Sequence, residues 1–375
     1  MRKKIIFMLL CGASLASFEF SWDLIRAKLA QPMPAWMERQ IEEDLELFPG
    51  KEISNEAIEA TIRDVRKIPS SSQVGFIRYR IQNNRISVSS PTEMLSDVRV
   101  AHVVEVLEDL AKHLPLPDIE FLSALWDAYD NPIYLVYTHC PVFTICKSKS
   151  NRFGVLFPEF RHFSYRQRLI NDIRSTSQHS PWAQKMAKAH WRGMTSGWHY
   201  NLDNWDTRPR SRLVLFSKAH PDLLDAAFTS PYSLNYAVKQ TMEHYGLFQP
   251  WTYPAAFVSY KYLISIDGNT FASNFWWQLL SNCAVLKNES PYVEWFYVGL
   301  TPNVHYLPYS LDLSDLKDKL LWLRTHDDEA RQIAEAGRAF AEEYLTNEAL
   351  VVYFYRLLRA YAAKCKAVLH EKSCN

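Results

Sequence analysis

The sequence predicts an α/β fold on parallel strands, arranged as two halves and closed by C-terminal helices. Three observations predict it. Residues 259–308 carry an apolar, β-branched run from Tyr262 to Ile266, a break at Asp267-Gly268-Asn269, apolar residues at helical spacing from Ser273 to Leu280, and a second apolar run from Ala284 to Leu286. Strand, tight loop, helix and strand make a βαβ unit, which needs a parallel sheet with helices on its faces. Upstream, runs and amphipathic helices between Trp36 and Cys146 describe a separate α/β half. Downstream, Asp327 to Leu345 and Asn347 to Ala363 read as helices alone. At 375 residues the chain has room for two domains.

Taken in order, Trp36 to Phe48 is an amphipathic helix by the spacing of Met37, Ile41, Leu45 and Phe48. Its acids Glu42, Glu43, Asp44 and Glu46 form the wet face. Ile53 to Val65 is a second helix. Phe76 to Val88 alternates around Asn83-Asn84, a β-hairpin pattern. Val100, Val103, Val104, Leu107, Leu110, Ala111 and Leu114 trace one helix face, stopped by Pro115 and Pro117. Asp118 to Leu125 alternates as a strand, with Asp127 just past its end. Ile133 to Tyr137 and Val142 to Cys146 read as further strands of that sheet. Phe157 to Pro181 is aromatic, has no clear period, and is read as the crossover between halves. Ala189 to Gly197 is a strand running into a polar loop, and Pro209 to Arg212 opens an apolar strand from Leu213 to Phe216. After the βαβ unit, Ser314 caps a helix from Leu316 to Leu323.

Composition excludes some classes. Hydrophobic residues make up 48% and charged residues 22%, ordinary values for a folded globular chain. With 42 basic against 41 acidic residues and no basic stripe, nucleic acid is not the expected partner. Aromatics reach 14%, with 12 Trp, which suits sugar faces as well as a large core. The six cysteines form no CxxC pair or zinc spacing, and Cys140 and Cys283 sit in apolar runs as core thiols. The start, MRKKIIFMLLCGASLASF, pairs a basic end with a short apolar run. It fits a cleaved leader or a membrane-associated segment and is too short to span a bilayer. Asn288-Glu289-Ser290 is a glycosylation sequon only in a eukaryotic secretory setting.

The chemistry is expected around the loop of the βαβ unit, at the carboxyl end of the sheet, where open α/β folds bind ligands. Asp267, Gly268, Asn269, Thr270, Ser273 and Asn274 offer donors and acceptors there. Backbone N–H groups at the helix start favour a phosphate. Turn and cap chemistry explains Gly268 and Ser273 equally well. Asp127, beside Leu125 and Trp126 at the mouth of the other sheet, is a candidate general base. A turn or capping role is the alternative, and Asp130 lies three residues away. Asp203-x-x-Asp206 and Asp127-x-x-Asp130 are too loosely spaced for a metal, so none is expected.

KYLISIDGNT-x-AS-x-x-x-x-x-LLSN, followed by EWF and His305-Tyr306-x-Pro308, resembles the donor-binding core of glycosyltransferase family 90. That family includes the Rumi-type protein O-glucosyltransferases, the capsule-associated xylosyltransferases and the bacterial lipopolysaccharide A proteins. The likeness is good from Trp182 to the C-terminal helices and weaker from Trp36 to Asp130. It implies the GT-B arrangement, two Rossmann-like domains facing across a cleft. The expected divisions are a leader or membrane-associated segment at 1–18, an acceptor-side domain at 19–165, a nucleotide-sugar domain at 166–330, and helices at 331–375 packing back on the first half.

The resemblance also implies the reaction. A nucleotide-diphosphate sugar, a UDP-sugar, serves as co-substrate, with no cofactor and no metal. The acceptor is a hydroxyl of a glycan, a lipid-linked saccharide or a protein. Asp127 matches the family's base, which deprotonates that hydroxyl and inverts the anomeric centre. Trp191-Arg192-Gly193 with Thr195 and Ser196 resembles the family's aromatic-Arg-Gly-x-x-x-Ser loop, and Arg210 its Arg before an apolar strand. A guanidinium there can pair bidentately with a diphosphate, and Arg212 is an equal candidate on chemistry alone. His305 belongs to the signature, with a structural role the simpler reading. Phe275 departs from the pattern, because relatives place an Arg there. That departure favours the second expectation, a non-catalytic glycan or nucleotide-sugar binder on a decayed transferase fold. A glycoside hydrolase would need a second carboxylate opposite Asp127, and no motif supplies one. A bacterial enzyme of this kind would act at the cytoplasmic membrane face, a Rumi-like one in a secretory lumen.

Overall fold

The computed structural model describes residues 18–46, 54–68, 75–90, 94–160, 162–197 and 199–372, with side chains to 364. The expected leader, Phe48 and Ile53 lie outside these residues. Among them no helix is long and apolar enough to cross a membrane.

The first half contains α1 (Trp22–Ala30), α2 (Ala35–Glu46), α3 (Asn55–Val65), β1 (Phe76–Gln82), β2 (Arg85–Ser89), α4 (Val98–His113), β3 (Ile119–Ala124), α5 (Pro132–Val136), β4 (Val142–Thr144), β5 (Lys147–Ser148), β6 (Gly154–Leu156) and α6 (Phe163–Gln178). Its sheet runs β2-β1-β3-β4-β6. The hairpin turns at Asn83 and Asn84, with φ of 51° and 61°, the left-handed pair that a tight two-residue turn demands. The hairpin lies antiparallel on β3, while β3, β4 and β6 are parallel.

The second half contains β7 (Met186–Met194), α7 (Pro209–Ala219), β8 (Leu224–Ser230), α8 (Tyr236–His244), β9 (Tyr260–Ser265), α9 (Phe275–Leu280), β10 (Ala284–Asn288), β11 (Tyr292–Val293), β12 (Leu307–Tyr309), α10 (Leu316–Thr325), α11 (Asp327–Tyr344) and α12 (Asn347–Lys372). Its sheet, β12-β10-β9-β7-β8, is parallel throughout. The predicted βαβ unit is β9, α9 and β10. Leu263, Ile264, Ala284 and Leu286 are fully buried, as strands covered on both faces require.

One apolar core runs through both halves, joining Phe121 and Phe143 to Leu263, Phe275 and Val285. From α12, Tyr353, Tyr355 and Tyr361 donate their hydroxyls to the carbonyls of Leu156, Pro115 and Glu120 in the first half. The short strands β5 and β11 pair across the halves, Lys147 opposite Val293 and Ser148 opposite Tyr292.

Four expectations are corrected. Ile133 to Tyr137 is not a strand but α5: Pro132 occupies its first turn and Asn131 Oδ1 accepts from Ile133 N at 3.0 Å. Leu213 to Phe216 is not a strand but part of α7, again started by a proline. Ser314 is not the cap of α10; that place is Asp315, and Ser314 bonds Asp312 instead. Asp44 is not on a wet face. It is fully buried, its carboxylate held by Lys147 Nζ at 2.5 Å and Leu156 N at 2.7 Å. The crossover segment also holds an unpredicted helix, α6, in which Arg166 takes a core position, 3.4 Å above the Trp276 ring.

Candidate active site

Strand order places the site. From β7 the chain passes through α7 to β8 on one side, then returns to β9 on the other. The loops leaving β7 and β9 therefore diverge at a topological switch point, where such sheets open a ligand crevice. Thr195, Ser196 and Gly197 leave β7, and Asp267, Gly268 and Asn269 leave β9. The two loops touch. Gly197, at φ +116°, donates its N–H to Asn269 Oδ1 at 2.9 Å. A Cβ on Gly268 would lie 2.7 Å from Ser196 Oγ and 3.0 Å from Arg210 Nη2, so a side chain there would have to displace Ser196 Oγ or the guanidinium.

Arg210, in the first turn of α7, ties the loops together. Its Nε donates to the Asp267 carbonyl at 3.0 Å and Nη2 to that of Ile266 at 3.1 Å. Nη1 donates to the Met194 carbonyl at 3.0 Å and to Ser196 Oγ at 2.6 Å. With one hydrogen given to each of these bonds, one Nη2 hydrogen is left over. Burial pulls this guanidinium's pKa down from its ordinary value, with Tyr200 and Asp267 opposing. Arg212 is exposed on the same helix.

The other predicted members take different places. Alternation along β7 turns Arg192 away from Trp191, and its guanidinium is ion-paired to Asp225 at 2.9 Å beside His190 and Tyr260. Gly193 lies against the Trp191 ring, where a Cβ would approach to 2.5 Å. Thr195 Oγ1 donates to the Tyr232 carbonyl at 2.8 Å. Ser273 is exposed, and Asn274 caps α9 without a side-chain bond to it. His305 is structural: its Nδ1 accepts from Thr301 N at 2.8 Å. Lys261, at the start of β9 and not expected in the site, pairs with Asp327 at 2.6 Å.

Three residues at the inner end of the crevice were not foreseen. Lys287 Nζ bonds Asp267 Oδ1 at 2.7 Å and Asn288 Oδ1 at 3.1 Å, and Asn288 Oδ1 also accepts from Asp267 N at 2.9 Å. A lysine inside the apolar run Ala284 to Asn288 was the available signal, since a buried strand keeps a charge only beside a partner. Its ammonium lies 6.0 Å from the ring of buried Phe275. Glu294, from the EWF motif, is buried as well, and burial pushes its carboxyl up to about 8 against the pull of Tyr297, Lys287 and Arg166. Lys287 and Asn288 also line a groove of about 1190 Å³ between the halves, with α2 and the 147–152 segment on its other wall.

In the first half, Asp127 stands three residues past the end of β3, exposed and without a hydrogen bond among the described residues. Its charge is felt by Arg99, which Asp97 holds at 2.7 and 3.0 Å. Asp130 differs: its Oδ1 accepts from Ser148 Oγ at 2.6 Å and Ser148 N at 3.3 Å, fixing the end of β5. Among the described residues no three His, Cys, Asp or Glu side chains gather as a metal site.

The family model for Glycosyl transferase family 90 matches residues 32–372. Protein O-glucosyltransferase 3 of Rattus norvegicus is 31% identical over 322 residues, 82% of this chain and 58% of that protein. Protein O-glucosyltransferase 2 of Danio rerio is 30% identical over 339 residues, 86% of this chain and 61% of that protein. The chain thus spans about 58–61% of the length of these relatives. Anabaena HepE, solved in complex with UDP-glucose, aligns over 74% of this chain and 77% of that one at 11% identity and a TM-score of 0.38, a likeness too distant to build on. The family match takes in both sheets, the loops at the switch point and the C-terminal helices, and the chain belongs to glycosyltransferase family 90.

Proposed function

We propose that the chain transfers a sugar from a nucleotide-diphosphate sugar to an acceptor hydroxyl with inversion. The observation that carries this reading is the crevice at the switch point, two diverging loops locked together by one partly desolvated guanidinium. The names of the relatives make UDP-glucose the first donor to try and a protein or glycan hydroxyl the first acceptor. The acceptor oxygen gives its proton to the Asp127 carboxylate and bonds the anomeric carbon. The bond from that carbon to the diphosphate oxygen breaks, and the diphosphate leaves with the electron pair. Loop N–H groups and the remaining Arg210 hydrogen meet the charge that develops there. The Phe275 departure keeps the second reading, a non-catalytic binder, in play, and turnover of the donor separates the two. Incubation with UDP-glucose tests the reading: release of UDP, with or without acceptor, supports it, and the absence of both binding and turnover for every nucleotide sugar refutes it.

Two further outcomes are expected. Arg210→Ala weakens UDP-glucose binding about ten- to a hundredfold, the loss of a charge-assisted bond of roughly 1.5–3 kcal/mol, while Arg212→Ala changes it little. Calorimetric titration checks both, and equal small losses would remove Arg210 from the site. Donor binding is also expected to survive chelator, because cationic side chains and backbone donors stand at the crevice. Binding abolished by chelator and restored by manganese would contradict this.

A further inference from the structure

Asp267 carries an atom that the fold leaves without a partner. Its N–H is taken by Asn288 Oδ1 at 2.9 Å, its carbonyl by Arg210 Nε at 3.0 Å, and its Oδ1 by Lys287 Nζ at 2.7 Å. Oδ2 has no hydrogen-bond partner, although the side chain is 8% exposed. Burying an acceptor unpaired is costly, and such sites persist where a ligand completes them. One ion pair holds the carboxylate and two backbone bonds hold the residue, at the second position past β9 and beside Gly268. Lys287, which anchors it, also lines the groove of about 1190 Å³ between the halves, though Asp267 itself does not.

We infer that Asp267 Oδ2 accepts a hydrogen bond from a hydroxyl of the nucleotide sugar and so selects among donors. The inference rests on the proposed transferase reading. Charge decides the ligand class. A carboxylate repels a diphosphate, so the diphosphate sits with the N–H groups and Arg210, and Asp267 meets a neutral hydroxyl-bearing part of the donor. Two parts of a nucleotide sugar carry hydroxyls, the ribose and the transferred sugar, and both present the same chemistry to this oxygen. A site built to hold a hydroxyl rejects the analogue that lacks it far more strongly than an apolar pocket can.

Calorimetric titrations with UDP, UDP-glucose and UDP-glucose analogues each lacking one ribose or glucose hydroxyl test this on the wild-type chain. One analogue is expected to bind at least tenfold more weakly than its parent, and in Asp267→Asn that difference disappears. If the glucose is the partner, Asp267→Asn loses affinity for UDP-glucose and keeps it for UDP. If the ribose is the partner, both affinities fall together. Every analogue binding the wild type as tightly as UDP-glucose overturns the inference, whether or not the variant folds. Tighter UDP binding by Asp267→Asn also overturns it, because the carboxylate would then face the phosphates. Failure of UDP and UDP-glucose alike to bind the wild type sinks the transferase reading first, and this inference with it.

Discussion

Asp127→Asn is expected to lower transfer by about 10²–10⁴, the usual cost of losing a positioned general base, while fold and donor affinity stay near wild type. Asn keeps the size of the side chain and its hydrogen bonding, but it cannot take the acceptor's proton. The fold should tolerate the change, since Asp127 is exposed and makes no hydrogen bond among the described residues. Donor affinity should survive because the crevice residues come from the loops after β7 and β9, on the other half. Asp130 supplies the control. Its carboxylate fixes Ser148 and thereby the end of β5, so Asp130→Asn is expected to lower stability more than it lowers the chemical step. Transfer rate, UDP affinity and melting temperature on the three proteins decide the matter. Full activity in Asp127→Asn with loss of the chemical step in Asp130→Asn would move the base to Asp130. Full activity in both would sink the mechanism.

What could be read in advance follows from the range of the interactions. The βαβ unit was legible because a strand buried on both faces must be apolar nearly throughout, and Tyr262 to Ile266 and Ala284 to Leu286 are. The hairpin was legible because Asn83-Asn84 suits a left-handed turn. Asp127 was legible as the carboxylate after an alternating strand. Four consecutive apolar residues from Leu213 to Phe216 fit strand or helix alike, and the deciding signal was Pro209 in front of them. Arg166 hid α6 by placing a cation on its buried face. Arg192, named for the ligand, sits on the opposite face of β7 because alternation sends it there. Lys287 and Asp267 lie 20 residues apart, and Asp44 and Lys147 103 apart. No local pattern announces such pairs, so a charge that is buried beside a distant partner reads as a surface charge.

At the Asp44–Lys147 pair that misreading has an energetic consequence. Burial pushes the Asp44 carboxyl up, and Lys147 together with the Leu156 N–H pulls it back. Lys147 Nζ also bonds the Gly154 carbonyl at 2.9 Å, so one ammonium joins α2 to β5 and to the edge strand β6. Lys147→Met is expected to destabilise the fold by about 3–5 kcal/mol, because it leaves a buried carboxylate without its counter-charge. Asp44→Leu strands the ammonium in the same way. The double variant, Asp44→Leu with Lys147→Met, should recover most of the loss, since an apolar pair of similar volume removes both desolvation costs. Urea unfolding of the four proteins measures the coupling as a double-mutant cycle. Single losses below about 1 kcal/mol would class the pair with exposed ion pairs, which contribute little. A double variant no more stable than the singles would mean that the Gly154 and Leu156 bonds, rather than the charges, hold α2 to the sheet. Both residues line the groove between the halves, and β5 is the strand that pairs across them. Loss of Lys147 should therefore weaken donor binding as well as stability, and Asp44→Leu with Lys147→Met should restore both together.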